Sequence, residues 1–235
     1  MTQYEISILS DTICPWCYVG KKRLERATEQ HRSAYPDDSF TTSWRPFYMR
    51  PYAPKKSTDK LAIYDAEHGG ACMQVVLPRL ARLGKDIGID SKFGGKTGNS
   101  RDSHRLIQLG RTKSEDMQTK VVGEFFAAYF ENEEDITDKE TLVKRGVQAG
   151  MGEKEVRKWL DSDASGAEVD REDSQAKRMF VTGVPHFTIN GKFEVHGAEE
   201  SATFLEAFKR VKETQGGPSG KPRLTAESDV SQNAC

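Results

Sequence analysis

Between Tyr4 and Leu9 apolar and polar side chains alternate, Tyr4-Glu5-Ile6-Ser7-Ile8-Leu9, the period-two pattern of a half-buried strand. The period then lengthens. Residues 14–31 form a basic, helix-compatible stretch, and Thr41-Thr42-Ser43-Trp44-Arg45-Pro46 predicts a second strand that stops at its proline. From about 58 to 179 the pattern predicts helices alone. Met73, Val76, Leu77, Leu80 and Leu83 recur at helical spacing, with Pro78 expected to start or kink that helix. The broadest apolar face belongs to 114–131, where Met117, Val121, Val122, Phe125, Phe126, Tyr129 and Phe130 fall on one side. Thr137-Asp138-Lys139-Glu140 reads as a capping box opening the next helix, with Leu142, Val143 and Val147 turned inward. Val156, Trp159 and Leu160 mark a short amphipathic helix, and a further one is expected over about 165–179.

Strand character returns at Thr182-Gly183-Val184-Pro185-His186-Phe187-Thr188-Ile189-Asn190-Gly191-Lys192-Phe193-Glu194-Val195, which reads as a strand led by a proline, an Asn-Gly turn and a return strand. Proline at such a position is where a cis X-Pro bond can sit, and an ordinary edge-strand proline is the plain alternative. Phe204, Leu205 and Phe208 define a closing helix. Residues 215–235, with Gly216-Gly217-Pro218-Ser219-Gly220, are expected to be a disordered tail. The stretch 91–101 is expected to be a flexible loop. Its Gly94-Gly95-Lys96-Thr97 lacks the spacing of a phosphate-binding loop, and no apolar strand precedes it, so nucleotide binding is not expected.

Cys14-Pro15-Trp16-Cys17 places two thiols where the first strand gives way to the basic helix. A helix N-terminus leaves N–H groups unpaired and carries partial positive charge, so a cysteine there is held more readily as the thiolate that attacks disulfides. Cys14 is therefore the expected nucleophile. Pro15 suits the first helical position, and Cys17 lies within reach to resolve a mixed disulfide. A structural zinc would need four ligands. The chain has no second C-x-x-C and no closely spaced histidine pair, and Cys72, Cys235, His31, His68, His104, His186 and His196 form no recognisable set, so no metal is expected.

Several segments resemble the thioredoxin superfamily, and within it the DsbA-like branch that contains the FrnE-type oxidoreductases. They are Ser10-Asp11 to Lys21 around the cysteine pair, Trp44-Arg45-Pro46-Phe47, Ser103-His104-Arg105-Leu106, Phe125 to Phe130 with Asp135-Ile136-Thr137-Asp138, and Gly183-Val184-Pro185 through Gly191-Lys192. The likeness runs over roughly residues 4–212. It implies an α/β, thioredoxin-like fold with a large all-helical insertion: a core of 1–48 and 180–214, an insertion of 49–179 and the tail 215–235. It also implies a thiol–disulfide oxidoreductase in which Cys14, Cys17 and a cis Pro185 are catalytic. Val184 would then offer its backbone to an extended substrate by strand addition.

The same branch includes kappa-class glutathione transferases and 2-hydroxychromene-2-carboxylate isomerases, where a serine resembling Cys14 in position hydrogen-bonds the thiol of glutathione. Cysteine at 14, with a second at 17, favours redox exchange over conjugation. Yet His196-Gly197-Ala198-Glu199-Glu200-Ser201 resembles that family's glycine-led loop at a helix start, where N–H groups bind the γ-glutamyl carboxylate. Ala198 replaces its serine, and Glu199 retains an acid that could pair the glutathione amino group. Val184, Ala198 and Glu199 are thus the candidate glutathione contacts. No resident cofactor is expected, and glutathione is a candidate co-substrate under either reading. A third class, a client-binding chaperone, would need neither cysteine.

Charge narrows the partners. Lys and Arg number 35 against 36 Asp and Glu, a net charge of −1, so nucleic acid is not implied. A mean hydropathy of −0.69 and the lack of any apolar run near the roughly 18 residues that span a bilayer remove a membrane helix. The expected substrates are disulfide- or thiol-bearing proteins. Met1-Thr2-Gln3-Tyr4-Glu5 shows no secretory signal, so a cytoplasmic location is expected, where the pair would rest as dithiol and work as a reductase or isomerase. Trp16 is expected either in a hydrophobic docking lip or as a partly exposed aromatic. His186 either brings positive charge near Cys14 or, as strand alternation favours, is a surface histidine. Both are carried as substrate-binding candidates. Cys72 is expected to be a buried, inert thiol, and Cys235 a terminal thiol or a third redox partner.

Overall fold

Strand β1 (Gln3–Ser10) sends Tyr4, Ile6 and Ile8 into the core and leaves Gln3 and Glu5 outside in the computed structural model, which describes residues 1–216. The chain turns at Cys14, whose extended backbone caps helix α1 (Pro15–Ala34) with Pro15 at its first position. That helix is the crossover a parallel pair requires. It delivers β2 (Ser39–Pro46) alongside β1 in the same direction, with Gln3 opposite Ser39 and Ser10 opposite Pro46.

The insertion is not helical throughout, contrary to the sequence pattern, which predicted helices alone. Thr58–Asp59 (β3) and Lys96–Thr97 (β4) pair antiparallel, enclosing α2 (Lys60–His68) and α3 (Gly70–Asp86) between them. Two-residue strands present one side chain to each face, so they leave no periodicity to read. The stretch 91–101, expected as a flexible loop, is tied down there. Gly94 N–H donates to Glu133 Oε1 (2.8 Å), the Gly95 carbonyl accepts from Lys60 N–H (3.0 Å), and Thr97 and Ser100 are buried. Pro78 does not start α3 but lies inside it, at an exposed position where a carbonyl deprived of its partner can meet water.

Helices α4 (Arg101–Arg111) and α5 (Glu115–Phe126) pack together. Ser114 opens α5 by accepting from Met117 N–H (3.0 Å), with Glu115 and Asp116 in the first turn. The single helix expected over 114–131 changes pitch at its end, where Ala127–Glu131 forms a π-helical turn. The carbonyls of Tyr129 and Phe130 that this leaves over are taken by Lys60 Nζ (2.7 Å) and Lys92 N–H (2.6 Å). α6 (Lys139–Gln148) starts one position later than the expected capping box. Asp138 is its cap, accepting from Thr141 N–H (2.8 Å), whereas the Thr137 hydroxyl donates to Asp135 (2.7 Å). Leu142 and Val143 are buried, but Val147, expected to point inward, is exposed. α7 (Glu153–Asp161) and α8 (Gly166–Arg178) complete the insertion.

The chain then re-enters the sheet as β5 (His186–Ile189) and β6 (Phe193–His196). Asn190 and Gly191 between them both adopt left-handed backbone (φ 51° and 63°), the geometry a two-residue hairpin turn needs. The Asn190 amide also accepts from Glu5 N–H (2.8 Å) and donates to the Gln3 carbonyl (2.9 Å), fixing hairpin against β1. The sheet order is β2-β1-β5-β6, with β5 antiparallel to both neighbours. The outer edge of β2 is covered by Gln118 of α5, which donates to the Trp44 carbonyl (2.8 Å) and accepts Trp44 N–H (3.0 Å) in place of another strand. α9 (Ser201–Gly216) packs on α1. Of the expected tail, residues 215 and 216 continue α9 and the remainder falls outside the described residues. Among the described residues, no helix is long and apolar enough to cross a membrane.

Candidate active site

The segment that carries the cysteines is held from three sides. Cys14 N–H donates to the Asp11 carbonyl (3.1 Å), closing the turn between β1 and α1. The Asp11 carboxylate is fully buried and accepts from Met49 N–H (2.8 Å), beyond β2, while its other oxygen lies 3.3 Å from His104 Nε2 of α4. Thr12 shares a 2.8 Å hydrogen bond with Ser103, again from α4. The insertion thus grips the active-site turn through Ser103 and His104.

Cys14 and Cys17 are both free thiols, 1% and 0% exposed. Cys14 Sγ donates to the Val184 carbonyl at 3.6 Å, and the Val184–Pro185 bond that follows is cis. Burial pushes the Cys17 thiol well above its usual range; the hydrogen bond with Cys14 and the charge there raise it further, and contacts from Ser10 and the Asp11 backbone only partly oppose this. Cys17 is therefore held as the protonated partner. Helix and proline segment approach closely because Gly20 has no side chain. A Cβ there would come within 2.9 Å of the Phe187 ring and 3.0 Å of Pro185.

A second group of residues on this side had no signal in the sequence. Tyr64 of α2 has a buried hydroxyl beside that of Tyr129, and its pKa is pushed up to about 12, by burial first and also by the nearby charge of Cys14, with the Tyr129 contact opposing the shift. Lys60, fully buried, sits with Nζ 3.6 Å from the Tyr129 ring centre, and burial brings its pKa down to about 8. Tyr129 donates to Thr97 Oγ1 (2.7 Å). Each of these contacts joins segments far apart in the chain, so no local spacing announces them.

The other sequence-predicted residues divide. Trp16 is half-buried and packs against the core. His186 is not a surface histidine: it is 8% exposed, because the His196 ring stands over it, Nδ1 to Nδ1 at 3.1 Å. Burial first, then the His196 charge, lowers its pKa. Its ring nitrogen faces His196 rather than Cys14. Ala198 is buried, with its carbonyl accepting from Arg23 Nη1, and Glu199 is half-buried. Cys72 is half-buried on α3 and is not a free thiol, which corrects the expectation for it; Cys235 lies outside the described residues.

A family model described as the DSBA-like thioredoxin domain matches residues 5–209. A structure described as a probable DsbA oxidoreductase from Streptomyces coelicolor superposes with a TM-score of 0.80 at 27% identity, covering 95% of this chain and 94% of that one. A 2-hydroxychromene-2-carboxylate isomerase gives 0.67 at 18%, covering 90% and 98%. The cytosolic disulfide reductase DsbM from Pseudomonas aeruginosa, solved with GSH, gives 0.56 at 14%, covering 90% and 98%. The last two likenesses bear on fold alone. YwbO of Bacillus subtilis, an uncharacterized protein, is 23% identical over 205 residues, 86% of this chain and 94% of its own.

Proposed function

Because this chain belongs to the DSBA-like thioredoxin domain family, we propose that it is a thiol–disulfide oxidoreductase working through Cys14 and Cys17. The observation that carries the reading is the placement of the Cys14 sulfur, 3.6 Å from the Val184 carbonyl at the cis Pro185, with a second free thiol at Cys17. Cys14, as thiolate, attacks one sulfur of a substrate disulfide. A Cys14–substrate bond forms, the substrate S–S bond breaks, and the departing sulfur takes the electron pair. Cys17 then attacks the Cys14 sulfur, its proton passing to the second substrate sulfur as that leaves. The substrate gains two electrons and two protons, one from Cys17 and one from solvent, and the protein is left with a Cys14–Cys17 disulfide, which two equivalents of a low-molecular-weight thiol such as glutathione return to the dithiol as they are oxidised to their own disulfide.

The structural details divide the work between the cysteines. The raised pKa of Cys17 keeps it from competing as first nucleophile. Val184 presents its carbonyl beside Cys14, so an extended chain aligned there would gain main-chain hydrogen bonds with little demand on its sequence. Disulfide-bearing proteins and glutathione disulfide both fit that description. Run in reverse, the same steps oxidise a substrate dithiol, and the direction follows from the pair's potential against its surroundings.

Equilibration in graded glutathione buffers, thiol trapping and mass measurement test the reading. A reversible loss of two protons on oxidation, absent in Cys14→Ser, is expected. Cys17→Ser should accumulate a mixed disulfide at Cys14. No internal disulfide at any ratio, with glutathione bound but unexchanged, would overturn the proposal in favour of a glutathione-dependent isomerase or transferase.

A further inference from the structure

The hairpin that begins after Pro185 carries a second group of chemically active side chains on its outer face. β5 and β6 pair with His186 directly opposite His196, and such residues project on the same side of a sheet. Glu194, two positions before His196, shares that side. The opposite face holds Phe187, Ile189, Phe193 and Val195, all in the core, so the register that buries these four also gathers the polar three. His186 Nδ1 and His196 Nδ1 are 3.1 Å apart, while Glu194 Oε2 lies 3.4 Å from the other ring nitrogen, His196 Nε2, so the exposed carboxylate has to turn toward the Nδ1 pair to join them on one ion. One ligand atom from each of the three falls within 4.8 Å of the others.

We propose that His186, His196 and Glu194 form a binding site for a divalent transition metal of the zinc class. Two ligand nitrogens at zinc bond lengths of roughly 2.0–2.1 Å stand roughly 3.3 Å apart in a tetrahedron, close to the spacing these imidazoles already hold. Facing nitrogens at that distance share one proton between two lone pairs, and a metal ion takes the place of the proton. Two imidazoles and one carboxylate suit zinc, copper or nickel, whereas calcium and magnesium prefer oxygen alone. His196 and Glu194 are largely exposed, which gives the ion a path from solvent and leaves a coordination position for water. The ion would tie the start of β5 to the end of β6, where Gly197 N–H already donates to the Pro185 carbonyl (2.8 Å). It would therefore brace the segment that carries Val184. The site uses neither cysteine, so it stands apart from the proposed exchange reaction.

Zinc titration of full-length Cys14→Ser/Cys17→Ser protein, with any other thiol alkylated, keeps thiolates from supplying ligands. Calorimetry and competition against a chromophoric chelator should show one zinc per chain. His196→Ala should weaken it by at least on the order of tenfold, and Glu194→Gln should weaken it less. Imidazole signals of His186 and His196 should shift together on zinc addition. Absence of zinc binding, or binding unchanged by both substitutions, overturns the proposal. Because both substituted positions are exposed strand residues, circular dichroism should report an unaltered fold, and if His196→Ala unfolds, Glu194→Gln alone decides.

Discussion

At Lys60 a charge that ordinarily persists to a pKa of 10.5 is brought down to about 8, because burial against Tyr129 strips it of water; the hydrogen bond from Nζ to the Tyr129 carbonyl and the charge of Glu133 do not make up the loss. Folded protein therefore binds fewer protons at this site than unfolded chain between pH 8 and 10.5. Stability rises with pH across this window and is lost as pH falls from the unfolded value through 8, so below that the buried ammonium is a net cost. Lys60→Met removes the titration while keeping most of the stem. Urea unfolding of both proteins from pH 7 to 10.5 should show the difference moving in favour of the wild type by about 3 kcal/mol across the window. A difference that stays constant with pH would mean that the ammonium is hydrated. Nothing in the sequence marks Lys60, since its partners lie on the π-helical turn some way along the chain. Cys14, Cys17 and Pro185 were legible because strand, turn and helix signals surround them locally. His186 was misread because alternation correctly set its face but could not show His196 closing over it.

Between elements, the approach of α1 to the proline segment depends on Gly20. In an exposed helix, Gly→Ala raises stability by about 1 kcal/mol. Here the sign should reverse. The added methyl would meet Pro185 and the ring of Phe187, and that ring has nowhere to go, being fully buried edge-on to Phe204 at 4.9 Å. Gly20→Ala is expected to lower stability by roughly 1–3 kcal/mol and to slow exchange as α1 and Val184 are pushed apart. An unchanged or raised urea midpoint would show that the proline segment yields freely. The large elements were readable from periodicity, which is how β1, α1, β2, the hairpin and most helices were placed. What escaped were features fixed by tertiary partners. The β3–β4 pairing is too short to have a period, and the π-helical turn at Ala127–Glu131 is accommodated by Lys60 and Lys92, which receive its carbonyls from outside the helix.

For the molecule as a whole, burial of both sulfurs poses a requirement: a substrate disulfide cannot reach Cys14 until something moves. The helices of the fold are not equally anchored. α1 buries nine residues and α5 five, but α2 buries only Lys60 and α3 only Leu80 and Gly84. Segments with so little buried surface open at the lowest free energy, and α2 carries Tyr64, whose buried hydroxyl feels the charge of Cys14. The α2–α3 segment is thus the expected gate. Amide exchange in α2 and α3 should be faster than in α1 and α5, and alkylation of native Cys14 should be far slower than that of an unfolded control. Tyr64→Ala removes buried contact from the gate without touching either cysteine. It should speed Cys14 alkylation by on the order of tenfold, the equivalent of about 1.4 kcal/mol less to open, while α1 exchange stays unchanged. If Cys14 in the wild type reacts as fast as the unfolded control, the thiol is open at rest and no gate is needed. If Tyr64→Ala speeds exchange in α1 as well, the effect is global loosening, and access to the thiol is governed by the stability of the entire fold.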